Sequence, residues 1–127
     1  MTAAVLDASA VLALYFAEPG ADNVLSVLPG AYLSAVNYTE AVGKCLDRGE
    51  DLAGILRKIA AMGVIVVPHD LHLARRAGAL RPSAKHVGAS LGDRACLALA
   101  QQEGLPVLTA DRSWKTLDLG LDVRLIR

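Results

Sequence analysis

This sequence predicts an α/β domain with a mainly parallel central sheet and helices on both faces. Three observations predict it. Short apolar or β-branched runs alternate with helical runs along the whole chain. Pro, Gly and capping residues punctuate nearly every junction between them. The length, 127 residues, suits a single domain over residues 1–127. A chain of that size buries roughly two thirds of its unfolded surface and folds without staples.

Each element has its own signal. Ala3 to Leu6 reads as a buried strand ending at Asp7. "ASAVLALYFAE" then turns helical, and Pro19-Gly20 stops it. A second helical piece runs from Ala21 to Leu28 and closes at Pro29-Gly30. "AYLS" is a short strand. Ser34 caps the next helix, which carries Glu40 and ends near Arg48. Asp51 opens another, "DLAGILRKIAAMG", apolar at helical spacing. "VIVV", residues 64–67, is the clearest strand because every residue is β-branched. After Pro68, Asp70 opens the helix "DLHLARRAGAL", and residues 81–88 form a basic loop around Pro82. Ser90 caps a helix that is apolar nearly all round and therefore buried. "VLT" is a strand, Asp111 to Lys115 a turn, and "VRLI" the last strand.

Composition excludes several classes. The chain is 54% apolar and 20% charged, with a mean hydropathy of +0.39. That is rich for a small domain, so either the core is large or a partner covers some apolar surface. The longest apolar stretch, Ile59 to Pro68, is half of the ~20 residues a membrane-spanning helix needs. No basic region precedes the first apolar residues and Asp7 interrupts them, so a signal peptide is not expected. Cys45 and Cys96 lack metal-type or CxxC spacing and read as buried thiols in a reducing cytoplasm.

The net charge of zero excludes a polycation, but the charge is unevenly spread. Residues 1–74 hold four basic and eight acidic side chains, and residues 75–127 hold nine basic and five acidic. Arg75, Arg76, Arg81, Lys85 and Arg94 fall within twenty residues, opposed only by Asp93. This run is either a solvated face or a phosphate-contacting rim.

Four acids stand where chemistry is expected. Ligands of such sheets bind beyond the carboxyl ends of the strands. Asp7 and Asp111 follow strands there, Glu40 lies a turn and a half into the helix after "AYLS", and Asp93 opens the buried helix. Each has an ordinary explanation. Asp7 can cap a helix, Asp93 has capping-box spacing from Ser90, and Asp111 can be a turn residue. Glu40 is harder to dismiss, because an acid among apolar neighbours needs a partner. Taken together, four converging acids repel: at an effective dielectric of 20, one pair ~4 Å apart costs about 4 kcal/mol. A cation would neutralise that, and all-oxygen donors select Mg²⁺ or Mn²⁺. His69 and His72 are three apart but fall on a strand end and a helix, which does not suggest zinc.

"VLDASAVLALYFAEPGAD", "SAVNYTEAV", "SLGDRACLALA" and "VLTADRSW" together resemble the four motifs of PIN-domain ribonucleases, most closely the VapC toxins of toxin–antitoxin pairs. The resemblance covers essentially the whole chain. It implies a PIN-like three-layer α/β/α sandwich and a homodimer, with higher assembly alongside an antitoxin. It implies an acidic endoribonuclease site taking one or two Mg²⁺ or Mn²⁺ ions. By motif match Asp7, Glu40, Asp93 and Asp111 are the metal-binding and catalytic acids. Ser9 and Thr109 match polar positions near the metal, and Ser113 and Arg112 match more loosely. The implied partner is a VapB-type antitoxin whose C-terminal segment wraps the toxin and blocks its site.

The implied chemistry is hydrolysis of an RNA phosphodiester, giving 5′-phosphate and 3′-hydroxyl ends. Arg75, Arg76, Arg81 and Lys85 are the candidate RNA contacts. Tyr15, Tyr38 and Trp114 are candidates for base stacking or for packing, and Glu18 for meeting a basic antitoxin side chain. Four rival readings stand beside this one. A receiver domain needs paired acids after the first strand and a Lys after the last, and neither is present. A haloacid-dehalogenase-type phosphatase needs an Asp where Ser9 stands. A PIN-domain RNA-processing nuclease outside a toxin pair, or a non-catalytic acidic binding domain, would share the fold.

Overall fold

The computed structural model describes residues 3–127. The first two residues of the predicted domain lie outside the described residues. Five strands form one sheet in the order β3-β2-β1-β4-β5, and every pairing is parallel. They are β1 (Val5–Leu6), β2 (Tyr32–Ser34), β3 (Ile65–Val67), β4 (Val107–Thr109) and β5 (Val123–Leu125). This is the predicted α/β sandwich; β4 matches its run VLT, and the other four strands are each shorter than theirs. The order also separates the chain from a receiver, whose strands run 2-1-3-4-5.

Side-chain alternation along the strands builds two cores. Leu6, Leu33 and Leu108 face one side, with α1 (Ala8–Tyr15), α2 (Ala21–Leu25), α3 (Ala35–Asp47) and α4 (Leu52–Ala61) packed over them. Val5, Val107 and Val123 face the other, under α5 (Leu71–Ala79) and α7 (Leu91–Glu103). Helix α7 is buried from Ala95 to Ala100, as its all-round apolar sequence predicts. Both cysteines are buried free thiols.

Three expectations change. The opening helix ends at Tyr15 and not at Glu18. Residues 81–88 are not a loop: Arg81–Ala84 is a short helix, α6, and Lys85–Val87 a 3-10 turn. Pro82 sits in the first turn of α6, where its fixed φ suits a helix and its missing N–H costs nothing. The second helix stops at Leu25 rather than Leu28. Among the described residues no helix is long and apolar enough to cross a membrane.

Candidate metal and nuclease site

Strand order reverses between β1 and β4, and at such a switch point the carboxyl ends leave a crevice. Asp7 follows β1 there and Asp111 follows β4. Asp7 is 5% exposed and its carboxylate is held from three sides. Oδ1 accepts from the Ser9 hydroxyl at 2.6 Å and the Ala10 amide at 2.9 Å, and Oδ2 accepts from the Thr109 hydroxyl at 2.5 Å. The Thr109 hydroxyl in turn accepts from the Asp111 amide at 3.0 Å, which fastens the two strand ends together. The Ser9 oxygen accepts from the Ala110 amide at 2.9 Å.

The other acids arrive from helices. Asp93 and Ser90 form a capping box at the start of α7, with Asp93 Oδ2 accepting from the Ser90 amide at 3.0 Å. Asp111 Oδ1 accepts from the amide and hydroxyl of Ser113 and caps the 3-10 turn Arg112–Thr116. Glu40 has the partner its apolar surroundings require. Asn37 donates from Nδ2 to Glu40 Oε1 at 2.8 Å, and also to the Gly92 carbonyl at 2.9 Å.

Three of the acids act on one buried thiol. Burial pushes the Cys96 thiol well up, and the charges of Asp7, Asp93 and Glu40 add to it in that order. Burial likewise raises the Asp7 carboxyl above its ordinary 3.8, against hydrogen bonds from Ser9, Thr109 and Ala10, with a smaller upward push from Asp93. None of the ion pairs among the described residues, Glu18–Arg48, Glu18–Arg127 and Arg124–Asp122, touches these acids.

As placed, no three His, Cys, Asp or Glu side chains among the described residues are gathered closely enough to clasp a metal ion. The caps explain part of this, because Asp93 and Asp111 are each drawn toward their own turn. The donor chemistry nevertheless fits a hard cation. A carboxylate has about four lone-pair sites, and the described hydrogen bonds leave Asp93 Oδ1, Asp111 Oδ2 and Glu40 Oε2 uncommitted.

The basic run divides. The turn Lys85–Val87 packs against the turn that follows Asp111, through His86 Nε2 and the Thr116 hydroxyl at 3.1 Å, so Arg81 and Lys85 lie at the acidic end. Arg76 does not: it lines a cleft of about 480 Å³ with Gln101, Gly104 and Pro106, at the opposite end of α7. Arg94 donates to the Ala77 carbonyl at 3.1 Å and ties α7 to α5. Arg75 is exposed on α5. Trp114 is 1% exposed and packs in the second core, out of reach of a base. Tyr15 is buried and its hydroxyl donates to Glu50 at 3.0 Å. Glu18 already faces Arg48 and Arg127 of its own chain.

Sequence reading missed Asn37 and Gly92. Their signals were a polar residue one turn before Glu40 and a glycine inside a helix, where it costs about 1 kcal/mol against Ala and calls for a packing reason.

The fold and this end of the sheet define a class: a parallel α/β domain with one buried carboxylate, Asp7, at its switch point and the less buried Asp111 following the neighbouring strand. The PIN domain family model matches residues 4–119, and the chain belongs to that family. No curated protein matches it by sequence. Among solved structures, it is similar to a toxin–antitoxin complex from Klebsiella pneumoniae, at 20% identity over 98% of both chains with a TM-score of 0.73. DNA-bound VapBC from Salmonella typhimurium is similar at 16% identity over 100% of both chains, TM-score 0.73. VapBC-5 from Mycobacterium tuberculosis is similar at 24% identity over 100% of this chain and 99% of that one, TM-score 0.66.

Proposed function

We propose that this chain is a metal-dependent endoribonuclease toxin of the VapC type, held inactive by a cognate VapB-type antitoxin. One observation carries the reading: the Asp7 carboxylate is buried at the switch point of the sheet, Asp111 follows the neighbouring strand there, and among the described residues no basic side chain pairs with Asp7, Glu40, Asp93 or Asp111. Uncompensated buried charge of this kind is costly unless a cation completes it. Asp7, Asp93 and Asp111 would hold Mg²⁺ or Mn²⁺, one or two ions, with Glu40 acting directly or through water. When bound, the metal would lower the pKa of a water and neutralise charge growing on the phosphate.

The chain's own groups set the stage for that chemistry. Ser9 and Thr109 fix both oxygens of Asp7, and Ser113 fixes Asp111. Among the described residues no histidine hydrogen-bonds a motif acid. The 2′-hydroxyl route wants such a base, so its absence from these contacts favours water as nucleophile and 5′-phosphate products. Arg81 and Lys85 flank the same end and would guide the RNA backbone. Leu46 of α3 and Leu52 and Leu56 of α4 are exposed, which suits a surface covered by antitoxin or by a second copy.

The test is to incubate the purified chain and Asp93→Ala with total RNA, under Mg²⁺, Mn²⁺ or EDTA, and to sequence the new 5′ ends. Discrete 5′-phosphate ends that need both metal and Asp93 are expected. A folded, antitoxin-free chain that cuts nothing under any metal would leave a binding domain instead.

A further inference from the structure

We propose that Asn37 and Gly92 are positioning residues that form a seat for the Glu40 carboxylate at the start of α7. This rests on the acidic-site reading above and assigns two residues outside the acidic set.

Asn37 is 1% exposed, and its Nδ2 serves two acceptors on two elements: Glu40 Oε1 on α3 and the Gly92 carbonyl on α7. The amide's orientation follows from those neighbours. Both are acceptors, so the NH₂ must face them. That choice leaves Asn37 Oδ1 buried with no hydrogen-bond partner. Asn is also a poor residue for a helix interior. A residue that weakens its helix and strands an acceptor makes poor sense as filler, and good sense as a clamp between Glu40 and α7.

Gly92 closes the seat from the other side. A Cβ built there would fall on the Glu40 carboxylate, well inside van der Waals contact with Oε1, Cδ and Oε2. Its φ lies outside the left-handed region, so the backbone has no need of glycine. The space is what glycine supplies. The seat fixes where the Glu40 charge stands relative to Asp93, the next residue of α7.

These features set stability against function, which gives a sharp test. Gly92→Ala strengthens a helix and displaces only the flexible end of Glu40. It is expected to keep or raise Tm while weakening Mn²⁺ binding, read from the free-Mn²⁺ electron spin resonance signal, by roughly 10- to 100-fold. Asn37→Leu removes the clamp and is expected to weaken Mn²⁺ binding to a similar degree. In a Glu40→Gln background both losses should shrink to about twofold or less, because the seat then has no charge to place. If Gly92→Ala binds Mn²⁺ like the wild type, or if the losses persist without Glu40, the seat is overturned. A wild-type chain whose Mn²⁺ binding does not depend on Asp7 overturns the acidic-site reading and the seat with it. Should Asn37→Leu fail to fold, Gly92→Ala decides alone.

Discussion

The two ends of α7 face opposite chemistry. At its N-terminus stand Ser90 and Asp93, with Glu40 held nearby through Asn37, and Arg81 and Lys85 flank the same end. At its C-terminus, Gly104 closes the helix beside the cleft that Arg76 lines. The helix macrodipole favours this arrangement at both ends, carboxylates at the positive end and a guanidinium near the negative one. The cleft is roomy, but of the acids only Asp122 lines it, and that carboxylate pairs with Arg124. Space alone therefore points to one end of the molecule, and the motif carboxylates of the proposed site to the other.

The strongest way to break this contrast is to neutralise Asp7. Asp7→Asn is expected to reduce RNA cleavage to background while Tm of the metal-free chain at neutral pH rises. The sign follows from linkage. The folded Asp7 carboxyl has a raised pKa, so the native state holds that proton more tightly than the unfolded chain. Its stabilising contribution is full below the unfolded value of 3.8 and is lost as pH rises through the higher folded value. At neutral pH the charge burdens the fold, and Asn removes the burden. A melting curve in EDTA for both chains checks it, and a lower Tm for Asp7→Asn would contradict it.

A smaller effect sharpens the contrast between the basic residues. Arg81→Glu with Lys85→Glu should flatten the salt dependence of RNA binding by about 1.4 in log–log slope, or about 0.7 per lost phosphate contact on a single strand. Arg76→Glu, at the far end, should leave that slope unchanged. Equal effects from both would mean the RNA track runs the length of α7.

The smallest expected effects compare the two caps. Ser90→Ala removes half of the capping box and costs about 1 kcal/mol. Cleavage should fall only modestly, because the Asp93 amide loses its acceptor while the Ser90 amide still holds the Asp93 carboxylate. Gly104→Ala places a Cβ at φ +64° and costs about 1–2 kcal/mol with cleavage unchanged. Denaturant melts alongside cleavage assays separate the two.

Much of this was legible beforehand because it is local. Strand and helix runs, the caps at Ser34, Asp51, Asp70 and Ser90, and the four motif acids all sit in short windows. What was not legible depends on packing between windows. "VIVV" reads as the clearest strand, yet it forms the sheet edge, where Ile65 and Val66 stay exposed. β-propensity reports a fit to a pleated, half-buried surface and not rank within a sheet. The basic run reads as one patch, but helix geometry sends Arg76 and Arg94 to different neighbours from Arg81 and Lys85. Asn37 and Gly92 become meaningful only once α3 meets α7, 55 residues apart in sequence.

The Thr109 hydroxyl that holds Asp7 reaches back across 102 residues of chain. Strand β1 lies between β2 and β4, so its second neighbour is made late. At about 5–20 residues per second, a ribosome needs roughly 5–20 s to travel from one to the other. Until that point Asp7 lacks the hydroxyl that fixes its Oδ2, and a nascent chain carries the carboxylate only half held.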